Sequence, residues 1–462
     1  MVSKVRSPVQ VKLVVAPRKL PQNLISYAAR TCYDGMEPKW GKRINIENRL
    51  YETGHHTPLQ HVDYLFRVEG IAIGNITFGF HLVHQFLVSC QRSGRYCIDM
   101  FADPRALKRI ERYIRYFWPE VSERNQRRIR EYVEKCISLF QSYLGEATAI
   151  SEKYIRKDRP HASDRYIRVN AKRFAQEQLR VVIPVIFPTA FVHKLNLSAL
   201  IALYRVAWDE PMKYILKKMV RLVLKNDPAL RFAFKEQSNN YGLDFLNPGE
   251  LPGTHVQYKP KLKLVAVDGV KDLVLPAGHH MHPVDELHFD PAFMVNSIYH
   301  VKTEVEMSVV TLGQDQRHRE VLRNQPEFTG GIFCPPIVRA LGLEDELVEV
   351  GNRWVEISQV VPQNLARILA PYGAVLTFTK SGSFNAVVHE QGKRTCLCAQ
   401  QEIRELARLL RSKLVPHFEE NKRSELSDLF APPCYLTGIC GEGVRYCGRD
   451  MDKDIFSSSR RV

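Results

Sequence analysis

The sequence lacks any long apolar run. No stretch of the 462 residues approaches the ~20 consecutive apolar positions that a membrane-spanning helix needs. The opening residues, MVSKVRSPVQVKLVV, lack the apolar core and small-residue cleavage site of a secretory signal. Cysteine is also scarce, and 10 cysteines in a chain of this length are too few for a disulfide scaffold. These absences predict a protein of the reducing cytoplasm.

Acidic residues are outnumbered. The chain has 66 Lys and Arg against 50 Asp and Glu, a net charge of +16 at pH 7, and a pI of about 9.3. Such a balance favours an acidic partner, which can be nucleic acid, a nucleotide or a phosphorylated cofactor. The net charge does not distinguish among these partners, and a solvated basic surface accounts equally well for most of the cationic residues. The composition, 45% apolar and 25% charged, is typical of a globular protein.

Proline and glycine collect in the segment LNPGELPGTHVQYKPKLKLV, residues 246–265, which predicts a linker. We therefore expect two domains, residues 1–255 and 256–462, in agreement with the chain length. Both halves open with a Gly-His-His motif, TGHHTPLQHVDYLF at 53–66 and AGHHMHPVDELHF at 277–289. A repeated landmark of this kind indicates an internal duplication.

Further landmarks recur in the same order in both halves. After each Gly-His-His motif, apolar residues at helical spacing predict a buried helix. Next come Arg-x-x-x-Pro, then an asparagine nine residues ahead of an arginine, and finally an amphipathic helix. The residues are, in the first half, Phe80, Val83, His84 and Leu87, Arg180 and Pro184, Asn196 and Arg205, and Met212, Ile215, Met219 and Leu222; in the second, Val305, Val309 and Leu312, Arg367 and Pro371, Asn385 and Arg394, and Ala399, Ile403, Leu406 and Leu410.

The first half carries an insertion at about 105–160. Its basic segments RALKRIERYIRYFW and RNQRRIREYVEKCISLF predict a helical hairpin. Ile129, Val133, Ile137 and Phe140 form the apolar stripe of the second helix.

Two short motifs carry candidate chemistry. In QRSGRYC, residues 91–97, backbone N–H groups near Gly94, the Ser93 hydroxyl and the Arg95 guanidinium together suit a phosphate. In GQDQRHRE, residues 313–320, Gln314, Arg317 and His318 stand at i, i+3 and i+4 of a predicted helix and share a face. Taken singly, a plain turn explains the first motif and an exposed basic helix face explains the second.

The order of these motifs resembles the flavin-dependent thymidylate synthases. That family has Gly-His-x-(Ser/Thr), an Arg-His-Arg segment leading to Ser-x-Arg-Tyr, Ala-Arg-x-x-Leu-Pro, and an arginine linked to Ala-Gln-Trp-Glu-Ile-Arg. Here RTCLCAQQEIRELA, residues 394–407, reproduces the last element with Gln401 in place of tryptophan. The resemblance implies an α+β fold in two tandem, diverged copies, each a mixed sheet with long helices, that form a pseudo-dimer.

Each half departs from the family where the other keeps the motif. The first half retains Ser93-Gly94-Arg95-Tyr96 but has 83–85, Val-His-Gln, at the Arg-His-Arg positions. The second half retains Arg-His-Arg at 317–319 but has Glu-Phe-Thr-Gly at 327–330. Because family members share active sites between subunits of a tetramer, the resemblance implies one composite site built from both halves. It also implies a homodimer that mimics the tetramer.

The resemblance further implies reductive methylation of dUMP, with methylenetetrahydrofolate as carbon donor, FAD as cofactor and NADPH as reductant. Arg394 is then the catalytic residue, set against the uracil ring. The implied dUMP contacts are Gln91, Ser93, Gly94, Arg95, Arg180, Gln314, Arg317 and Arg394, and the implied FAD contacts are Thr57, Arg317, His318, Arg319, Asn385 and His389.

Two alternatives stay open. A related flavin enzyme acting on another pyrimidine nucleotide, or on a uracil in RNA, agrees with the departures at Gln60 and Gln91 and with the basic insertion. A catalytically inactive paralogue that binds nucleotides or nucleic acid predicts loss of Arg95 or Arg394, and both are present.

Half of the cysteines lie near the end of the sequence. Cys434, Cys440 and Cys447, together with Cys396 or Cys398, offer enough thiolates for a structural zinc ion. Their spacing is not that of a standard zinc finger, and buried inert thiols are the alternative.

Overall fold

The structure, a computed structural model, describes residues 7–82, 87–97, 100–235, 246–275, 290–437 and 439–448. These residues form a mixed α+β protein with two compact units. The first unit is drawn from residues 1–93, 104–126 and 186–244, and the second from 94–103, 127–185 and 245–462. The units therefore do not follow the expected boundary at residue 255, because two segments of the first half pack within the second unit.

The strands belong to two sheets, one in each unit. Their bounds are β1 (Gln10–Val15), β2 (Asp63–Ala72), β3 (Leu87–Gln91), β4 (Pro188–Asn196), β5 (His255–Gln257), β6 (Lys261–Val267), β7 (His300–Ser308), β8 (Leu322–Arg323), β9 (Glu327–Phe333) and β10 (Ala374–Ser383).

The α-helices follow the strands and fill the connections between them. Their bounds are α1 (Pro21–Thr31), α2 (Ile73–Asn75), α3 (Ala106–Phe117), α4 (Glu123–Asp158), α5 (Asp164–Leu179), α6 (Leu197–Val206), α7 (Glu210–Asn226), α8 (Val309–Asp315), α9 (Pro336–Ala340), α10 (Glu344–Ser358), α11 (Gln363–Ile368), α12 (Phe384–Arg394), α13 (Gln401–Glu420) and α14 (Pro433–Thr437). Short 3-10 or π turns lie at Glu47–Tyr51, Thr57–His61, Ile76–Phe80, Arg180–Val182, Pro228–Phe234, Pro248–Glu250, Val270–Asp272, Pro291–Ser297, Ser424–Phe430 and Gly443–Arg445.

The sheet of the first unit has the order β1-β2-β4-β3, with antiparallel pairing throughout. Its long strand β2 buries Tyr64, Phe66 and Val68, which alternate with exposed or half-buried residues. Period-two burial follows from the pleat, which sends successive side chains to opposite faces. The helix α7 begins at Asp209, whose carboxylate accepts a hydrogen bond from the Met212 amide and so caps the helix.

The sheet of the second unit has the order β5-β9-β10-β7-β6, and β8 also pairs with β10. The pairings of β6 with β7, β7 with β10, and β10 with β8 and β9 are antiparallel. On the side of β7 that faces the core, Val301, Val305 and Met307 are buried. Val301 belongs to an apolar core that continues into α12 and α13 through Phe384, Leu414, Phe418 and other residues.

Two predicted helices do not lie where the periodicity places them. Leu87 lies in strand β3 and Val305 in strand β7, so neither belongs to a helix. The helix α8 starts at Val309. A short apolar run with spacings of three and four is compatible with the end of a buried strand, and local spacing does not distinguish the two. The first-half residues 83–86 lie outside the described part of the chain, as does the motif at 277–289.

Two other sequence interpretations are also corrected. The predicted linker at 246–265 contains β5 and the start of β6, because its apolar residues complete the sheet of the second unit. Asn196 caps α6 by accepting a hydrogen bond from the Ala199 amide, whereas Ser383 caps α12 in the same way. By place in the fold, the counterpart of Asn196 is Ser383 rather than Asn385.

The predicted insertion contains the helices α3 and α4. Ile129, Val133 and Phe140 of the expected apolar stripe are buried, and Cys136 takes the position expected for Ile137. Burial, which disfavours the thiolate, raises the pKa of Cys136. Among the described residues, no helix is both long and apolar enough to span a bilayer.

Candidate functional site

A segment of the first half, Gly94–Cys97, is held in the second compact unit by the helix α5. Gln176 donates hydrogen bonds from Nε2 to the carbonyl of Gly94 at 2.7 Å and to that of Cys97 at 3.0 Å. The Glu177 carboxylate pairs with Nε of Arg95. A Cβ on residue 94 would lie 3.0 Å from Nη1 of Arg180, so glycine permits the close approach of this guanidinium.

Arg180 is 5% exposed and follows α5 directly. Its Nη2 donates to Oε1 of Gln400 at 3.1 Å, and its guanidinium lies 5.5 Å from the centre of the Tyr372 ring. Gln400 belongs to the AQQEIRELA stretch of the second half. A side chain of the first half therefore reaches the second-half motif within one unit.

The two Arg-x-x-x-Pro segments pair with each other in this unit. Pro184 and Pro371, which are equivalent in the motif, form an antiparallel bridge. The Val185 amide donates to the Ala370 carbonyl at 2.8 Å, and the Tyr372 amide donates to the Ile183 carbonyl at 2.8 Å. Each hydrogen bond thus has its counterpart after the two segments are exchanged, which is the pattern of a local two-fold relation.

Arg394 is the last residue of α12. Its Nη2 donates to the backbone carbonyl of Gln314 at 2.7 Å. The side-chain amide of Gln314 (Nε2) in turn donates to Oε1 of Gln400, which also accepts a hydrogen bond from Arg180. Gln400 thus connects the arginines of both halves through short polar contacts.

The electrostatics of this cluster are unusual because guanidinium groups converge. Burial lowers the pKa of Arg180 to about 10, with Arg95 and Arg317 contributing, although Tyr372 and Glu177 oppose the change. Burial likewise lowers the pKa of Arg394 to about 10, and Arg317 and Arg95 again contribute, against Glu390 and Asp315. Like charges brought together away from water require an anion for compensation.

Two donors in the cluster have no acceptor among the described residues. Nε of Arg180 and Nε of Arg394 are buried and make no hydrogen bond to the described residues. Buried polar groups are almost always hydrogen-bonded in native proteins, so such donors indicate a ligand or bound water. One of these donors comes from each half of the chain.

The Arg-His-Arg segment follows the helix α8 rather than continuing it. Gln314 lies in the last turn of α8, while Arg317 and His318 lie in the turn beyond, so the predicted common helix face is wrong. Burial, together with Arg394, lowers the pKa of His318 to about 2, so the imidazole is neutral at pH 7. Its ring lies edge-on to that of His389, with 5.7 Å between the ring centres.

A buried ion network supports this turn. Asp315 pairs with Arg323 and Lys380, and Lys380 also pairs with Glu390 at 2.7 Å. Burial opposes ionisation, but the two cations hold the pKa of Asp315 well below its usual range. Asp315, Lys380, Glu390 and Arg394 line a pocket whose other lining residues are largely apolar.

A second carboxylate, Glu402, anchors the start of α13. It accepts hydrogen bonds from the amide and hydroxyl of Ser308 and from the hydroxyl of Thr311. It therefore ties α13 to the junction between β7 and α8, directly beneath Gln314. Burial outweighs these hydrogen bonds and raises the pKa of Glu402 to about 7.

We predict that Glu402 makes folding stability pH-dependent. Its pKa in the folded protein exceeds the ordinary value of 4.5, so its contribution is fully present below about 4.5 and is lost as the pH rises through about 7. A shift of this size corresponds to on the order of 3 kcal/mol. Urea denaturation across about pH 5 to 8 should show stability falling with pH, and Glu402→Gln should flatten that dependence. The exposed Glu356→Gln is the control, and an unchanged pH profile in Glu402→Gln contradicts the prediction.

The structure brings Gly94, Arg95, Arg180, Gln314 and Arg394 into one cluster of the second unit. Thr57, Gln91 and Ser93 belong to the first unit. Thr57 begins an exposed 3-10 turn, and Gln91 ends strand β3.

The remaining predicted cofactor contacts lie around α8 and α12. The Asn385 amide donates to the Phe293 carbonyl at 3.2 Å and the Ser297 hydroxyl at 3.4 Å, and so fastens the 3-10 turn at Pro291–Ser297 to α12. Arg319 lies in the turn after α8 and is half-buried. A role for Asn385, His389 or Arg319 in binding a flavin stays a prediction.

Three residues of the cluster had no role assigned from sequence: Glu177, Tyr372 and Gln400. Gln400 could have been identified from the sequence, because it belongs to the recognised AQQEIRELA stretch. Glu177 lies three residues before Arg180, a spacing that places both near the same helix face. Tyr372 follows the Arg-x-x-x-Pro motif directly, but no sequence pattern indicates that its ring meets a guanidinium.

Among the described residues, the three tail cysteines predicted to bind zinc do not form the group of candidate ligand atoms. Cys434, Cys440 and Cys447 are half-buried in the described residues. Burial and the neighbouring Cys440, Cys447 and Cys398 raise the pKa of the Cys434 thiol to about 11. The compact group of candidate ligand atoms is instead made by Cys396, Cys398 and Glu442.

Comparison with known proteins agrees with the motifs. Residues 13–229 match the model of the family described as thymidylate synthase complementing protein. The first half of this chain is therefore similar to that family. The flavin-dependent thymidylate synthase of Clostridium tetani is 26% identical over 197 residues, which cover 40% of this chain and 69% of the relative. The enzyme class predicted from the motifs is thereby confirmed.

Solved structures give a weaker likeness. Thymidylate synthase X from Helicobacter pylori, crystallised with FAD and dUMP, is 17% identical and has a TM-score of 0.33. The alignment covers 49% of this chain and 100% of the Helicobacter chain. A second structure of that enzyme, also with FAD and dUMP, is 16% identical with the same TM-score. The match to the thymidylate synthase complementing protein family covers the first half only, whereas Arg394, Gln400 and Glu402 lie in the second.

Proposed function

We propose that this chain catalyses the FAD-dependent reductive methylation of dUMP to dTMP, with methylenetetrahydrofolate as carbon donor and NADPH as reductant. The observation that carries the proposal is the convergence of Arg95, Arg180 and Arg394 around Gln400. The likeness to that family suggests the reaction class, and the cluster supplies a site of the right charge for a nucleotide monophosphate.

The phosphate of dUMP is assigned to the first-half residues of the cluster. Arg180 retains a buried Nε donor that has no acceptor in the described part of the chain, and Arg95 approaches it closely enough to lower its pKa. Guanidinium groups bind phosphate through paired N–H donors and stay charged on burial. Gly94 keeps the space beside Arg180 open.

The uracil ring is assigned to Arg394 and Gln314. Negative charge develops on the ring while a new bond forms at C5, and a fixed guanidinium stabilises such charge without reorganising. The Gln314 carbonyl orients Arg394 by accepting its Nη2 proton, and the other guanidinium donor, Nε, is left for the substrate. Oε1 of Gln314 is also buried and receives no hydrogen bond from the residues that the structure describes, so it can accept one from a ring N–H.

The residues near α8 and α12 fit a flavin in their chemistry. Nε2 of His318 is buried and makes no hydrogen bond to the described residues. Because His318 is neutral, it offers a donor or an acceptor, and the exposed Arg317 beside it offers positive charge for a diphosphate. FAD, when bound, supplies the hydride that completes the methyl group. The protein's own task is to orient both ligands and exclude water.

We further propose that the chain is a tandem duplication with a composite site. The pairings β1-β2-β4-β3 and β6-β7-β10 with β8 and β9 follow the same order along each half, and two helices come after β4 and after β10. The exchange symmetry of the pairing between Pro184 and Pro371 supports the same conclusion. A homodimer that mimics the family tetramer remains part of this proposal.

A two-step experiment tests the function. The full chain, purified and reconstituted with FAD, should be yellow and should release tritium to water from dUMP labelled at C5. Release should require methylenetetrahydrofolate and NADPH and should match the dTMP formed. A chain that cannot be reconstituted with FAD contradicts every flavin-dependent function proposed for it. An FAD-loaded chain that leaves the C5 tritium in place under these conditions contradicts dUMP as the substrate.

A further inference from the structure

A compact donor group lies on the segment that joins Arg394 to Gln400. Sγ of Cys396, Sγ of Cys398 and a carboxylate oxygen of Glu442 all lie within 4.8 Å of one another. Cys396 and Cys398 come from the Thr395–Gln400 connection between α12 and α13, whereas Glu442 comes from the cysteine-rich tail. The group thus joins two distant parts of the second unit.

The spacing of these atoms suits a tetrahedral metal ion. Zinc binds thiolates at about 2.3 Å, so two sulfurs of a tetrahedral site stand about 3.8 Å apart. Donor atoms within 4.8 Å of one another therefore need only a small inward movement to share an ion. Two thiolates and a carboxylate are also donors that favour zinc over magnesium or calcium.

The surroundings supply hydrogen bonds to both sulfurs. The Cys398 amide donates to Sγ of Cys396 at 3.4 Å. Nη2 of Arg159 donates to Sγ of Cys398 at 3.6 Å, and the other nitrogen, Nη1, bonds the Arg445 carbonyl. N–H donors that meet thiolate sulfurs are the usual outer partners of metal-bound cysteines, because they orient the ligands and offset their negative charge.

We propose that Cys396, Cys398 and Glu442 hold a structural zinc ion, and that the fourth ligand is a tail cysteine. Cys434, Cys440 and Cys447, which are half-buried and flank Glu442 in the sequence, are the candidates for this position. The proposal replaces the sequence-based set of three tail cysteines with a site centred on the Cys-x-Cys pair. It rests on the contacts of the second unit and does not require the proposed function.

Such an ion acts on the candidate site through the backbone. The Cys398 carbonyl accepts a hydrogen bond from Nη2 of Arg95 at 3.2 Å. Cys398 stands two residues before Gln400, which accepts from Arg180 and Gln314. An ion that fixes the Cys-x-Cys segment to the tail therefore fixes the position of Arg95 and of Gln400.

Metal analysis of the full chain tests the site. Protein purified from zinc-supplemented medium should contain one zinc ion per chain, as measured by elemental analysis after removal of loosely bound metal. Replacement of zinc by Co²⁺ should produce intense thiolate-to-cobalt charge-transfer absorption and the visible bands of tetrahedral cobalt. Because the cobalt spectrum of the wild-type protein tests the site by itself, the result does not depend on whether the variants fold.

Variants identify the ligands. Cys396→Ser and Cys398→Ser should each abolish stoichiometric zinc and the charge-transfer absorption. One of the tail variants Cys434→Ser, Cys440→Ser and Cys447→Ser should weaken zinc binding by at least about tenfold. The matched control is Cys32→Ser, an exposed free cysteine in the first unit, which should keep full zinc content.

Three results overturn the proposal. The first is wild-type protein that contains no zinc and gives no charge-transfer band with Co²⁺. The second is full zinc content in both Cys396→Ser and Cys398→Ser, and the third is a disulfide between these two residues in protein prepared anaerobically. None of these measurements depends on dUMP turnover, so failure here is distinguishable from failure of the proposed enzyme activity.

Discussion

Arg394→Ala should lower kcat for dUMP by at least about 100-fold, the effect expected when one preorganised donor to a developing negative charge is removed. Arg394 meets the described residues through the Gln314 carbonyl and keeps a buried Nε donor for a ligand. The replacement leaves a smaller side chain at the end of α12 and does not strand a paired carboxylate. Steady-state tritium release from labelled dUMP measures the effect, and the flavin spectrum shows whether FAD is retained.

Arg205→Ala is the matched control for that experiment. Arg205 is the corresponding arginine of the first half, where it is exposed and contacts the hydroxyl of Tyr51. A composite site that uses only the second-half arginine predicts near-wild-type turnover for Arg205→Ala. Equal losses in the two variants would contradict the assignment of one site type per chain.

Arg95→Lys should weaken dUMP binding by about 10- to 150-fold, because hydrogen bonds to charged groups contribute about 1.5–3 kcal/mol. Lysine keeps a positive charge beside Glu177, so the buried carboxylate retains a partner and the fold is preserved. It loses the planar fork that a phosphate prefers. Equilibrium dialysis of dUMP with the FAD-loaded chain gives the dissociation constant.

Deoxyuridine makes the test specific for the phosphate. Wild-type protein should bind dUMP much more tightly than deoxyuridine, and Arg95→Lys should reduce that preference while leaving deoxyuridine binding nearly unchanged. Arg92→Lys, an exposed position on the same segment, is the control and should behave as wild type. Equal weakening of both ligands in Arg95→Lys would show that Arg95 supports the fold rather than the phosphate.

The order of the motifs along the sequence was enough to recognise the family resemblance and to identify most residues of the arginine cluster. The Ser-Gly-Arg-Tyr and AQQEIRELA stretches identify Arg95 and Arg394 without any coordinates, and the complementary losses in the two halves indicate that these arginines act together. The motifs select these two residues because a chemical role restricts the residue type at a given position. The same reasoning failed at Leu87 and Val305, since apolar spacing over a few residues is shared by strand ends and helix starts.

The arrangement of the cluster required the folded chain. The hydrogen bond from Arg95 to the Cys398 carbonyl joins residues 303 positions apart, and that from Arg180 to Gln400 spans 220. Contacts of such separation depend on how sheets and helices pack, which local propensity does not encode. The same holds for Glu402 and for the Cys396, Cys398 and Glu442 group. The sequence of this protein therefore indicates which residues belong to the candidate site. The convergence of the guanidinium groups, their burial and their shared hydrogen-bond acceptor arise only when distant segments pack into one core.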